Sequence, residues 1–419
     1  MKKLVMMAAM AVASSSAFAQ ADVVKGAKKL FDKGEFAQAV EAVKPALEAG
    51  TNEEKASAWN LLSQIYYKQY SDQSEIAIKS SLPTSKEKAD SLAMYTNALK
   101  AWESAVKADE FDQQPNDKGK VKPKYIVETQ NRYKTMGVVF AQGGQYFYNL
   151  KNNEQAIDQW KAYVNMRETP IYKDMAEKDF PKEPFYNDIV YYCAFLSYQM
   201  KNFKDAEFYA QKLIESDPSR KSDAENILVY AKKDNCKTAA DSAEYKKFLM
   251  EQHKADMNNE RYFNLLIDMH QNDAPAEKEA WIEEEIALNP QNKMAYALKG
   301  ESKMNAEKWD EAIDAFKKAI EIDEKWVQCL FNIGICYNSK AIALNDQLMD
   351  KKTMGLSKEN TEKVKAVLKD ALTYMEKTRE LDPNQEATHW AYPLYRLYYS
   401  LGNKEKMAEL EALDPSLKQ

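Results

Sequence analysis

Three consecutive stretches of this chain repeat at a period of 34 residues, and that period constrains the fold more than any single residue does. Tyr262, Tyr296 and Leu330 are successive 34-residue steps, as are Leu266, Gly300 and Gly334. The clearest copy starts at Lys293. Tyr296 and Gly300 lie one turn apart, and after Trp309 come Ala312, Phe316 and Ala319, spaced four and then three. Such spacings line one face of a helix, so each period reads as helix, turn, helix. Gly300 and Gly334 remove side chains where two helices cross, Ala312 and Ala319 do so on the second helix, and Phe316 fills the gap. Units of this length that bury one face against the next predict a helical solenoid.

Related patterns run along almost the whole chain. Trp59, Leu62, Ser63 and Tyr66 follow W-x2-L-G-x2-Y with Ser in place of Gly, while Ala312, Phe316 and Ala319 follow A-x3-F-x2-A. On these residues the sequence resembles the tetratricopeptide repeat family, whose units carry both halves and a closing proline. Weaker copies are Gly26, Ala27, Leu30, Gly34 and Phe36 leading into Ala39, Val43 and Ala46, and Gly143, Gly144 and Phe147 leading into Ala156, Trp160 and Tyr163. Cys193 and Ala194 lead through Phe203 into Ala206, Ala210, Leu213 and Pro218, and Leu401, Gly402 and Met407 form a truncated unit closed by Pro415. Residues 221–258 have helical composition but little motif. The resemblance implies an all-α, tetratricopeptide-type helical-repeat solenoid over residues 20–419, a right-handed superhelix of about nine antiparallel helix pairs.

Composition agrees with this. With 11 Gly and 13 Pro in 419 residues, and no run of alternating apolar and polar residues, the chain has few helix breakers. A solenoid grows by stacking, so this length is compatible with one elongated domain. Residues 1–19 read as a cleaved secretory signal: Lys2 and Lys3, a ten-residue apolar stretch from Leu4 to Ala13, and Ala17-Phe18-Ala19 before Gln20. The stretch is too short to span a membrane, and no Cys adjoins the cleavage site to accept a lipid. The expectation is an exported bacterial protein, periplasmic or secreted, with no transmembrane segment in the mature chain. Its net charge would be 57 − 65 = −8, since the leader holds two lysines and no acid. Acids and bases alternate at helical spacing, so nucleic acid is not an expected partner. The run Glu283-Glu284-Glu285 reads as an exposed helix surface.

Two units carry extra length at the same place, near residues 70–93 and 340–362. Tyr66 to Ala98 is 32 residues and Tyr337 to Ala371 is 34, against nine between those motif positions. Ser85-Lys86-Glu87 and Ser357-Lys358-Glu359 read as helix starts capped by Ser, so both insertions are expected to lengthen helix pairs.

Residues for chemistry are sparse. His253, His270 and His389 fit no metal-ligand spacing, and no carboxylate or Cys is placed by the sequence to complete a site around them. No nucleophile elbow, phosphate-binding loop or calcium loop occurs, and the Gly143-Gly144 pair is assigned to a helix crossing. No catalytic residue, metal site or cofactor is expected. Cys329 and Cys336 are seven apart on one predicted helix, roughly 10 Å in rise, too far to bridge. With Cys193 and Cys236 in other units, the expectation is four free thiols.

In tetratricopeptide repeats the first helix of each pair lines a concave face. Stepping along that face, the resemblance implies groove positions Asn60, Gln64 and Tyr67; Ala141, Gln145 and Tyr148; Tyr191, Phe195 and Tyr198; Phe263, Ile267 and His270; Ala297, Glu301 and Met304; and Phe331, Ile335 and Asn338. The binding candidates among them are Asn60, Gln64, Tyr67, Gln145, Tyr148, Tyr191, Phe195, Tyr198, Phe263, Phe331 and Asn338. Tyr148, Tyr191 and Tyr198 are expected to form one continuous strip. Rings supply contact area at low entropy cost and amides pair with backbone groups, which suits an extended peptide. The opposite outcome, rings buried by packing between units, is equally consistent with the spacing. The Lys and Asn that let some family members hold a C-terminal carboxylate are missing from matching positions. The expected function is a protein- or peptide-binding scaffold of the cell envelope, with a partner of unknown identity. Glycan or small-ligand binding on the aromatic face is the alternative; an enzyme built from scattered residues is a third.

Overall fold

The computed structural model describes residues 20–80, 86–116, 118–257 and 259–418. Among these all regular secondary structure is helical, apart from one isolated bridge between Asp350 and Gly355. The predicted leader and Ser85 lie outside the described residues. The chain divides into two compact units between Tyr245 and Lys246, within helix Ala239–Ala255 and inside the stretch where the repeat pattern is weakest.

In the first unit a helix over residues 20–32 pairs with Phe36–Val43 and Pro45–Glu48, and Asn52–Ser80 pairs with Ser91–Asp112. Ile126–Tyr133 and Met136–Asn149 then precede Asn153–Asn165, Tyr186–Gln199 pairs with Phe203–Ser216, and Lys221–Asn235 follows. In the second unit the pairs are Glu260–Met269 with Pro275–Leu288, Lys293–Asn305 with Trp309–Ile322, Val327–Leu348 with Lys358–Leu381, and Ala391–Leu401 with Lys404–Leu413. The extra length lies in the long helices Asn52–Ser80, Ser91–Asp112, Val327–Leu348 and Lys358–Leu381. Ser357 caps the last of these by accepting from the Asn360 amide at 3.2 Å. The matching helix starts at Ser91: residues 86–90 are irregular, and Asp90 caps it by accepting from the Ala93 amide at 2.9 Å.

Two kinds of turn, each reused, set the repeat. Within pairs, the first helix ends at a residue of positive φ: Gly34 (79°), Lys151 (63°), Lys201 (60°), Glu307 (57°) and Gly402 (74°). The next amide bonds back five residues, as in Asn202 to Ser197 at 2.8 Å and Asn403 to Tyr398 at 2.9 Å, consuming an orphan carbonyl of the helix end. Asn152 and Asn403 then cap the second helix through the Gln155 and Lys406 amides at 3.2 and 3.1 Å. Between pairs, Asp217, Asn289 and Asp414 accept the amide two residues on at 3.0, 3.1 and 3.0 Å. The prolines that follow, Pro218, Pro290 and Pro415, cannot continue the preceding helix.

Close approach inside the pairs rests on the predicted small residues. A Cβ added to Gly144 would stand 2.1 Å from the Trp160 ring, and one on Gly300 would stand 2.6 Å from Phe316. At Gly334 the neighbour is the flexible Met375, 2.9 Å away. Ser63, where the family pattern has Gly, is fully buried and shares a 2.6 Å hydrogen bond with the Tyr133 hydroxyl. All four cysteines are free; Cys193, Cys329 and Cys336 are buried, which pushes the Cys329 and Cys336 thiols up to about 12 and Cys193 in the same direction.

Candidate functional site

The face expected to bind is carried by the first helix of each pair, and the structure sorts its candidates into three groups. Phe263 belongs to the core. It is 2% exposed, with His253 and Trp281 rings each 5.5 Å away, because this helix pair meets through rings where other pairs meet through Gly and Ala. Asn60 is also buried, though it lines a cleft of about 420 Å³ together with Gln64, Lys25 and Lys28. Tyr67 and Phe331 are half-buried: Tyr67 lies 5.8 Å from Tyr133 with the Arg132 guanidinium 5.6 Å over its ring, and Phe331 packs on the C-terminal core.

The second group forms an aromatic patch on neighbouring first helices, Met136–Asn149 and Tyr186–Gln199. Tyr191 and Phe195, one turn apart, stack at 5.8 Å with ring planes 9° apart. Tyr192 links them to Tyr148, at 5.7 Å from Tyr191 and 5.8 Å from Tyr148, and stacks on the buried Trp160 at 5.2 Å. Arg220 stands 5.1 Å over Tyr191 and pairs with Asp188. All four rings of the patch keep part of their surface in solvent, and Gln145 beside them is exposed. The expected single strip is interrupted, however. Tyr198 turns to Phe203 at 5.9 Å, and its hydroxyl donates to Asp234 at 2.8 Å, which raises its pKa. Tyr192 was missed because it falls one residue off the stepped face.

The third group is in the second unit. Ile335 and Asn338 open into a cleft of about 600 Å³ completed by Asn345, Leu368, Tyr392 and Arg396. Tyr392 is 61% exposed, and Arg396 lies 5.8 Å over the ring of Tyr399, itself exposed. Tyr392 and Arg396 were not named from sequence because the truncated last unit lacks the Trp and Tyr landmarks that set the register.

Two of the three histidines, His253 and His270, each have a carboxylate partner that the sequence did not place. His253 donates from Nε2 to Glu285 at 2.9 Å with both side chains buried, so Glu285 is not part of an exposed acidic surface as Glu283 and Glu284 are. His270 stacks on Trp281 at 4.0 Å and donates from Nδ1 to Asp273 at 2.6 Å, beside Lys246. Burial lowers the His270 pKa, against the pull of the Asp273 bond. Glu285 lies 32 residues from His253, too far for sequence spacing to reveal the pairing. Among the described residues no group of three or more His, Cys, Asp or Glu side chains forms a metal site. Nor is any described helix long and apolar enough to cross a membrane.

Residues 24–78 match the family model of the tetratricopeptide repeat. Of curated proteins, the antiviral innate immune response effector IFIT1 of Homo sapiens is 26% identical over 216 residues, which is 50% of this chain and 43% of that protein. Its Macaca fascicularis counterpart is 28% identical over 148 residues, 35% of this chain and 29% of that one. The chain thus spans less than half the length of the curated relatives it matches. Of solved structures, a TPR-repeat protein from Bacteroides fragilis is 16% identical, with a TM-score of 0.33 over 63% of this chain and 98% of its own. The human IFIT1 dimer with m7Gppp-AAAA is 16% identical, with a TM-score of 0.32 over 82% and 72%. With the 34-residue register, the small residues at its helix crossings and the match over residues 24–78, the chain is an all-α protein of tetratricopeptide-type helical repeats.

Proposed function

We propose that this chain is an exported scaffold of the cell envelope that binds a protein or peptide partner on its first-helix face and performs no chemistry of its own. The carrying observation is the Tyr191–Phe195 stack, joined through Tyr192 to Tyr148. Rings held in place by Trp160 beneath and Arg220 beside them are ordered before a partner arrives. Such preorganisation lowers the entropy cost of binding, and partly exposed rings gain most from being covered. The exposed amide of Gln145 adds hydrogen-bonding capacity at the edge of the patch. Export rests on the basic start, apolar stretch and Ala17-Phe18-Ala19 site of residues 1–19.

A photo-crosslinking residue placed at Gln145, compared with one at Glu284, tests the binding face in cells; both positions are exposed. The expected result is an adduct of defined mass at position 145 and none at 284. Equal adducts, or none at either, would remove this face from the account. N-terminal sequencing of the same material tests export, with Gln20 as the expected first residue and an intact Met1 as the contrary result.

A further inference from the structure

In the first unit, helices Asn52–Ser80, Ser91–Asp112 and Asn153–Asn165 line a cleft of about 760 Å³, on residues outside the stepped groove positions. Its walls are apolar and ringed, from Trp59, Tyr66, Leu99 and Val106. Two carboxylates enter it from different helices, Glu103 from Ser91–Asp112 and Asp158 from Asn153–Asn165. Among the described residues neither makes an ion pair or accepts a hydrogen bond, although most of the surface acids nearby do.

The cleft has its own cations, and each is engaged elsewhere. Lys100 sits 5.6 Å over the Tyr66 ring, Lys107 pairs with Glu110 at 2.6 Å, and Lys161 pairs with Asp205. Lys100 and Lys161 pull on the two carboxylates at longer range, but the apolar surroundings outweigh them, and both carboxyls are raised above their ordinary range. Asp158 adds to the rise at Glu103 by like-charge repulsion. Glu154 acts in the same way on Asp158, and acids whose ionisation is made costly by apolar surroundings and like charge are relieved by a cation brought to them.

We propose that this cleft is a second docking site, which takes a lysine or arginine side chain of a partner polypeptide. The alkyl stem would lie along Trp59, Tyr66 and Leu99 while the charged head reaches Glu103 and Asp158, a division of labour that long basic side chains favour. Charge complementarity selects this occupant: the unmatched groups of the cleft are both anionic, and the walls suit a hydrocarbon stem. The site shares none of the rings of the Tyr148–Tyr191–Tyr192–Phe195 patch, so the two surfaces can hold different segments of one partner.

The test is an array of decapeptides with varied flanks, each with a fixed central lysine, arginine, glutamate or norleucine, probed with the labelled full-length chain. Retention on the lysine and arginine series, and not on the norleucine or glutamate series, is expected, and it should weaken as salt rises. The double variant Glu103→Gln/Asp158→Asn, isosteric at exposed positions, should lose about tenfold or more of that binding. The variant Tyr191→Ala/Phe195→Ala should keep the preference for a basic centre, which separates this site from the first-helix face. The single variants Glu103→Gln and Asp158→Asn provide the same reading should the double variant fail to fold. No preference for a basic centre, or full retention by these folded variants, would overturn the proposal. So would capture of spermine without any array peptide, which would assign the cleft to a free polyamine.

Discussion

The indole of Trp160 lies where a side chain on Gly144 would have to be: a Cβ there would stand 2.1 Å from its ring nitrogen. That nitrogen donates to the Ala141 carbonyl at 3.1 Å, so the ring cannot swing aside without giving up a buried hydrogen bond. Gly300 faces the ring of Phe316 at 2.6 Å, whereas Gly334 faces only the flexible Met375. Substitution by Ala should therefore destabilise strongly at 144 and 300, by about 1–3 kcal/mol as overpacking does, and less at 334. Urea midpoints rank the three; wild-type stability at both 144 and 300 would mean that the helices do not cross there.

The left-handed turn residues separate into two kinds. Gly402 holds a φ of 74° without a side chain, while Lys201 holds 60° with one. Gly402→Ala should cost about 1 kcal/mol, since an L-residue pays for left-handed backbone. Lys201→Ala should stay within about 0.5 kcal/mol of wild type, because that strain is already present. Thermal melts of the two variants make the comparison.

Acid should weaken the second unit through His270. Burial lowers its pKa, Lys246 acts in the same direction, and Asp273 and Glu285 oppose them. The unfolded chain thus binds this proton more readily than the folded one. The stability tied to neutral His270 is complete above the ordinary histidine pKa of about 6.5 and is lost as pH falls through that value toward the lower folded one. In denaturant titrations across this window, His270→Phe should lose stability less steeply than wild type on acidification. Parallel curves would show that the group does not titrate with folding.

Thiol chemistry should be slow in the native protein. Burial raises the pKa of Cys193, Cys329 and Cys336, and Cys236 is the one with surface to offer. A thiol reagent at neutral pH should label Cys236 first and the others only after denaturation. A stoichiometric intramolecular disulfide, seen by non-reducing mass spectrometry, would contradict the observed pattern of four free cysteines.

The helix pairs were legible because their signals are local. Gly300 with Phe316 and Gly144 with Trp160 sit at motif spacing, and the prolines after Asp217, Asn289 and Asp414 mark where second helices stop. The face was legible only in part. Stepping by four and three finds Tyr191 and Phe195, but burial depends on what the adjoining helix presents, so Phe263 went into the core and Tyr198 turned to Asp234. The cleft around Glu103 and Asp158 depends on residues 55 positions apart on separate helices, a relation that no periodicity encodes.

The central claim is that the first-helix rings hold the partner. Its most direct test is the affinity of a partner recovered by crosslinking at Gln145, measured for wild type, Tyr191→Ala, Phe195→Ala and the exposed control Glu284→Ala, with folds checked by circular dichroism. Truncation of a hot-spot aromatic costs about 2 kcal/mol or more, so each ring variant should weaken binding by about thirtyfold while the control matches wild type. Folded Tyr191→Ala and Phe195→Ala proteins that bind as tightly as wild type would contradict the claim.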